Sequence, residues 1–183
     1  MDESSPTNRR ELLRDLLGRA VGHALRKLPE RLLKNELYGR EPTLLRPPGA
    51  GDLATLSATC RRCGQCADAC RSGAILMDDL PAIIAVRQGC SLCAEQSCSA
   101  TCPSGALRPT PPESIRMGVA IWSKLRCRLS AGEPCDVCVL ACPRQAISQA
   151  DGRIVVDGDR CAGCGLCEYG CPQRPRAIYI DPL

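Results

Sequence analysis

The sequence predicts an α+β protein of short helices and hairpins that is organised around its cysteines rather than around a large apolar core. The chain of 183 residues has room for one domain or two small ones. It contains 16 cysteines but no Phe, one Trp and three Tyr. Because aromatic side chains normally supply much of the buried apolar area, disulfides or metal sites must take over that role here.

The cysteines form four groups, and each group ends in C-x3-C followed closely by Ala and then Ile or Leu. The first and fourth groups have the spacing C-x2-C-x2-C-x3-C. The second group has x4 before its third cysteine, and the third has x7 after its first. In chain order the groups are Cys60, Cys63, Cys66 and Cys70; Cys90, Cys93, Cys98 and Cys102; Cys127, Cys135, Cys138 and Cys142; and Cys161, Cys164, Cys167 and Cys171. No cysteine falls outside this repeat, so the sequence predicts one kind of site that occurs four times.

The spacing of the groups indicates iron–sulfur clusters. A C-x2-C-x2-C-x3-C-P run binds [4Fe–4S] clusters in bacterial ferredoxins, where three cysteines bind one cluster and the fourth binds another. Proline follows the last cysteine in three groups, and Arg71 does so in the first. The sequence therefore predicts four [4Fe–4S] clusters with all 16 cysteines as ligands. Zinc is the alternative, since four-cysteine zinc sites also use C-x2-C pairs, whereas disulfides would require an oxidising compartment.

Two ways of sharing the fourth cysteines are open. The matching spacing of the outer groups favours a ferredoxin-like fold with two nested dicluster units, in which the first group pairs with the fourth and the second with the third. The predicted ligand sets are Cys60, Cys63, Cys66 and Cys171; Cys90, Cys93, Cys98 and Cys142; Cys127, Cys135, Cys138 and Cys102; and Cys161, Cys164, Cys167 and Cys70. The alternative pairs neighbouring groups, and it would place Cys171 on the cluster that Cys127 binds.

The chain divides into three predicted segments. Residues 1–40 contain an amphipathic helix, because eight apolar side chains between Leu13 and Leu28 fall on one helical stripe. This helix packs on its own domain or docks on a partner or a membrane surface. Residues 41–59 form a Pro/Gly-rich linker. Residues 60–183 form the four-cluster domain, with hairpins in "AILMDDLPAIIAVRQGC" and in "AISQADGRIVVDGDRC".

Charge and hydropathy limit the partners and the location. Residues 8–40 hold 9 basic and 4 acidic side chains, and this excess suits an acidic partner or an anionic membrane face. No basic patch interleaved with aromatic residues indicates nucleic-acid binding. The segment "NRRELLR" resembles a twin-arginine export signal, but charged residues interrupt the apolar region that should follow it. We therefore expect a cytoplasmic protein that can lie peripherally at the inner membrane.

Several motifs together resemble a known family. The segments "LLRPPGAGD", "CRRCGQCADAC", "CSLCAEQSCSATCPSGAL", "RMGVA", "CDVC" and "CAGCGLCE" lie within residues 44–180. They resemble the four-cluster ferredoxin-type proteins of the NapF, NapG and MauM types. The x4 spacing is similar to NapG and MauM, and the lack of a workable export segment is similar to NapF.

The resemblance implies an electron carrier rather than an enzyme, with no catalytic residues. Its partner would be a larger redox enzyme or membrane quinol-linked electron-transfer proteins. A maturation factor that delivers iron–sulfur clusters to a molybdoenzyme is the alternative function, and a subunit whose clusters are purely structural is a third.

Overall fold

A computed structural model describes residues 43–183, which lie within one compact unit. The helix predicted within residues 1–40 lies outside the described residues, so it stays a prediction. The described part combines short helices with three small antiparallel sheets, which confirms the α+β class. Within residues 43–183, no helix has the length and apolar character needed to cross a membrane.

The first half of the described chain has a three-stranded sheet of order β1-β3-β2 beside three helices. Its elements are β1 (Leu44–Leu45), α1 (Leu53–Thr59), α2 (Gln65–Asp68), β2 (Ile75–Met77), β3 (Pro81–Ile84) and α3 (Ser97–Ala100). Strands β2 and β3 form the first predicted hairpin, with Ile75 opposite Ile83. Helix α1 begins at the N-cap Asp52, whose carboxylate accepts a 2.7 Å hydrogen bond from the amide of Thr55.

The second half has two two-stranded sheets and two short helices. Its elements are β4 (Gly118–Trp122), α4 (Val137–Leu140), β5 (Ile147–Ala150), β6 (Arg153–Val156), α5 (Leu166–Gly170) and β7 (Ile178–Pro182). Strand β4 pairs with β7 over five residues, from Gly118 opposite Pro182 to Trp122 opposite Ile178. The β5–β6 hairpin turns at Asp151 and Gly152, both with positive φ, as in a type I′ turn. The sequence predicted this hairpin, and the structure confirms it.

The core includes residues that the sequence analysis assigned to a linker. Leu45 of β1 and Leu56 of α1 are each 1% exposed, and Leu45 lies opposite Ile83 of β3. Neither the strand nor the helix was predicted, because the Pro/Gly-rich composition around them masks their short apolar patterns. The segment thus covers the first sheet instead of only connecting two regions.

The Ala-Ile and Ala-Leu pairs that end each cysteine group supply much of the remaining core. All eight residues are buried: Ala74, Ile75, Ala106, Leu107, Ala146, Ile147, Ala177 and Ile178. Ile75, Ile147 and Ile178 begin strands β2, β5 and β7. The core therefore lies directly against the cysteine groups, and few bulky side chains are needed to fill it.

Candidate metal centres

In two cavities of the structure, three cysteines of one group lie with the last cysteine of a neighbouring group. In the second site, Cys90, Cys93, Cys98 and Cys70 line one cavity. In the third site, Cys127, Cys135, Cys138 and Cys171 line another. Thiols spread around a cavity suit a cluster whose irons lie apart, because each iron then faces its own ligand. Within residues 43–183, no three metal-binding side chains are grouped tightly enough to hold a single ion.

At the other two sites, neighbouring thiols are identified by their effect on the pKa of one another. In the first site, burial raises the pKa of Cys66 to about 11, and the nearby Cys102 and Cys60 add to this effect. In the fourth site, burial raises the pKa of Cys164 and of Cys167, and Cys142 and Cys161 contribute to both. Cys60, Cys66 and Cys102 thus lie near one another at the candidate first site, and Cys142, Cys161, Cys164 and Cys167 do so at the candidate fourth site.

The linings of these two cavities favour pairing of neighbouring groups over the nested pairing predicted from the matching spacing of the outer groups, and the nested pairing stays an untested prediction. Cys171 lies with Cys127, Cys135 and Cys138 rather than with Cys60, and Cys70 lies with the second group rather than with the fourth. The physical reason is that α2 packs against α3 and α4 packs against α5. Each C-x3-C helix thus carries its last cysteine across to the neighbouring group of the same half.

Backbone amides donate to the last cysteine of the second, third and fourth groups in the same way. Cys102 Sγ accepts from the amide of Leu107 at 3.4 Å, Cys142 Sγ from Ala146 at 3.3 Å, and Cys171 Sγ from Ala177 at 3.4 Å. The donating amides belong to buried apolar residues that follow the group. The same residues therefore fill the core and donate hydrogen bonds to the sulfur. A thiolate that accepts such bonds is stabilised, as a metal ligand requires.

Hydroxyl groups strengthen this effect at two of the sites. Burial would raise the pKa of Cys70, but hydrogen bonds from the Ser72 hydroxyl and nearby amides outweigh it and leave the pKa below its ordinary value. The same balance with Ser104 and the amide of Leu107 lowers the pKa of Cys102.

Burial raises the pKa of most of the deeper thiols. Burial raises the pKa of Cys90 to about 12 and that of Cys138 to about 11, and neighbouring thiols add to both shifts. Burial and neighbouring thiolates disfavour the charged form of these thiols, and a cation between them would offset both effects. The donor set therefore fits a positively charged iron core, whose binding would displace the protons.

Three of the loops that carry the thiols have a left-handed residue at the same position. Arg62, Leu92 and Gly163 occupy the second position between two cysteines of a C-x2-C pair, and all have positive φ, of 55°, 51° and 66°. For Arg62 and Leu92 this conformation costs on the order of 1–3 kcal/mol. A left-handed residue turns the loop sharply, so consecutive cysteines can face the same site. Sequence spacing indicated the groups, but only the backbone reveals this conformation.

The two halves meet where the second and fourth sites adjoin. The amide of Cys90 donates a 2.7 Å hydrogen bond to the carbonyl of Cys164, and Cys164 also contributes to the raised pKa of Cys90. A Cβ at Gly89 would lie 2.6 Å from the amide nitrogen of Leu166, so only glycine fits there. Shared helices join the first site to the second and the fourth to the third. Clusters bound at these positions would follow one another in the order first, second, fourth, third.

Several named proteins are similar to this chain over most of its length. The ferredoxin-type protein NapG of Escherichia coli K12 is 33% identical over 206 residues, which cover 98% of this chain and 88% of the relative. NapG of Haemophilus influenzae is also 33% identical, over 96% of this chain and 72% of the relative. The methylamine utilization ferredoxin-type protein MauM of Methylophilus methylotrophus is 31% identical, over 78% and 73%.

No protein-family model matches the chain. The family assignment therefore depends on these individual relatives, whose alignments span both halves of the described structure. They confirm the resemblance to the NapG and MauM types that the motifs of the sequence indicated. The chain belongs to the NapG/MauM family of ferredoxin-type proteins.

Proposed function

We propose that the protein is an electron relay that binds four [4Fe–4S] clusters and passes single electrons to or from a larger redox enzyme. The observation that supports the proposal is that, in each of two cavities, four cysteines from two neighbouring groups line the wall. The proposed ligand sets are Cys60, Cys63, Cys66 and Cys102; Cys70, Cys90, Cys93 and Cys98; Cys127, Cys135, Cys138 and Cys171; and Cys142, Cys161, Cys164 and Cys167. Bound clusters would supply reversible one-electron oxidation and reduction.

The contact between the sites supports a relay rather than four independent centres. Each site adjoins the next through a shared helix or through the Cys90–Cys164 hydrogen bond. The ligand sets use every cysteine of the chain, so no thiol remains to act as a nucleophile. The relatives are named ferredoxin-type proteins, which favours an electron carrier over an enzyme.

The partner and the location are part of the proposal. The partner is a redox enzyme or a membrane quinol-linked electron-transfer protein, and residues 8–40 provide the docking element through their excess of basic side chains. A reducing compartment, the cytoplasm or its membrane face, would keep 16 thiols reduced until clusters are inserted. Delivery of clusters to an apo-enzyme remains the alternative function.

Metal analysis of the anaerobically purified full chain tests the proposal. We expect about 16 iron and 16 sulfide ions per chain, and an EPR spectrum from four reducible clusters. Four zinc ions per chain, or iron that does not undergo one-electron reduction, would contradict the relay.

Two pairs of serine variants test the ligand sets. Cys102→Ser and Cys66→Ser should perturb the same EPR component, because both change the first site. Cys171→Ser and Cys138→Ser should each perturb a second EPR component, because both change the third site. Nested pairing predicts instead that Cys102→Ser acts on the cluster bound by Cys138.

A further inference from the structure

Buried hydrogen-bond donors without an acceptor are concentrated around the third site. Among the residues that the structure describes, Trp122 Nε1, Ser130 Oγ and Arg176 Nε are buried and have no hydrogen-bond partner. Trp122 lines the cavity of the third site, Ser130 follows Cys127 by three residues, and Arg176 donates through its Nη1 to the carbonyl of Cys171. A buried donor without an acceptor destabilises the fold, so three around one site require an explanation.

Trp122 is held rigidly at this position. It ends strand β4 opposite Ile178 of β7, and the amide of the next residue, Ser123, donates a 2.7 Å hydrogen bond to the carbonyl of Ala177. The indole ring shares the cavity wall with Cys127, Cys135, Cys138 and Cys171. Because the indole nitrogen can only donate, an acceptor that occupies this cavity would supply the hydrogen-bond partner that it lacks.

The second site differs in this respect. The buried polar residue that lines its cavity is Gln96, which is 8% exposed. Both ends of its side-chain amide are satisfied by the backbone of Thr110, since Gln96 Nε2 donates to the Thr110 carbonyl and the Thr110 amide donates to Gln96 Oε1. A free indole donor is therefore a feature of the third site, not a general consequence of this fold.

We propose that the Trp122 indole N–H donates a hydrogen bond to a sulfur of the cluster at the third site and raises its reduction potential. This inference rests on the proposed function, because it requires a cluster at that site. A reduced cluster carries one more negative charge than the oxidised cluster, so it accepts the bond more strongly. The bond thus favours the reduced state, and hydrogen bonds to cluster sulfurs are an established means of setting potentials. Trp122 acts as a positioning residue and is not a ligand.

Replacement of the indole by a ring that cannot donate tests the effect on potential. In Trp122→Phe, an EPR-monitored titration with dithionite and mediators should show one of four potentials lowered and three unchanged, with the iron content retained. Tyr169→Phe is the matched control, since Tyr169 is an exposed aromatic residue of α5 that lines neither cavity. Four unchanged potentials in a fully loaded Trp122→Phe protein would overturn the inference and leave the relay intact. Failure of the wild-type chain to bind iron would overturn the relay itself.

Isotope labelling of the wild-type protein supplies a test that does not depend on how the variant folds. Trp122 is the one Trp of the chain, so growth on ¹⁵N-indole-labelled tryptophan places a single label at its Nε1. Pulsed EPR of the reduced holoprotein should detect a ¹⁵N hyperfine coupling at one cluster. Absence of this coupling from every cluster signal would refute the hydrogen bond.

Discussion

The substitution Gly89→Ala should separate the two halves of the protein at the junction of the second and fourth sites. A Cβ at residue 89 would lie 2.6 Å from the amide nitrogen of Leu166, 2.8 Å from its Cα and 2.9 Å from the carbonyl carbon of Gly165. Ordinary contacts begin at about 3.5 Å, so the backbones must move apart by roughly 1 Å. All three atoms belong to the backbone, and no change of rotamer can relieve the clash.

The expected cost is that of an overpacked core, about 1–3 kcal/mol. For a chain of this size, each kcal/mol lowers the melting temperature by roughly 2–4 °C. The displacement also stretches the 2.7 Å hydrogen bond from Cys90 to Cys164. In the fully reduced protein, magnetic interaction between the second and fourth clusters should weaken, because the dipolar coupling of two spins falls steeply with distance.

Calorimetry and EPR of the reduced holoprotein measure the two effects. Gly158→Ala is the control, because a Cβ at that position meets no atom within 4 Å and its φ is not positive. Gly89→Ala should have a lower melting temperature and narrower EPR lines than both Gly158→Ala and the wild type. A Gly89→Ala protein with full iron content and unchanged melting temperature and line shape would refute the close approach of the two sites.

Two further predictions concern charge. Arg71→Pro introduces the proline that the other three groups have at this position. It should lower one cluster potential, because the positively charged Arg71 lines the second site. The shift should be small, because the side chain of Arg71 is exposed, with a 3.5 Å ion pair to Glu95, and solvent screens its charge. Four unchanged potentials in a redox titration would contradict this. Deletion of residues 1–40 should leave all iron bound but reduce co-purification with the partner enzyme, whereas loss of iron would indicate that this segment belongs to the core.

Local sequence patterns predicted those parts of the molecule that depend on residues close together in the chain. The β5–β6 hairpin follows from the Asp151-Gly152 pair, which accepts the positive φ values of the turn. The grouping of the thiols follows from their spacing, because the C-x2-C and C-x3-C intervals leave little freedom for where the next thiol can lie. The second and third groups accordingly each provide three thiols to one cavity of the structure.

The pairing of the groups could not be predicted in this way, because it depends on which helices pack together. Matching spacings in the outer groups carry no information on contact between them. Loop closure favours neighbouring groups, since joining Cys60 to Cys102 closes a much shorter loop than joining Cys60 to Cys171. The unpaired donor of Trp122 was equally inaccessible, because its significance depends on a cavity that only the folded chain forms.

The choice between relay and delivery factor depends on whether a site can release its cluster. Seven residues separate the first two cysteines of the third group, a spacing that could leave Cys127 on a flexible arm. In the structure, this loop contains a helical turn at Leu129–Ala131, and Arg128 forms a 2.7 Å ion pair with Glu133. Cys63 of the first site is instead the one exposed thiol among the 16. Any release should therefore begin at the first site, at one end of the row.

This asymmetry makes the two functions separable by experiment. Holoprotein that is reduced and reoxidised beside its iron-free partner should retain its iron, while electrons appear in a partner that has been loaded separately. Cys63→Ser weakens the exposed ligand and is the positive control for loss of one cluster from the first site. Stoichiometric movement of iron from the wild-type chain to the partner would contradict the relay. A terminal site with one exposed ligand suits electron exchange equally well, because a cluster near the surface can approach a partner's redox centre without leaving the protein.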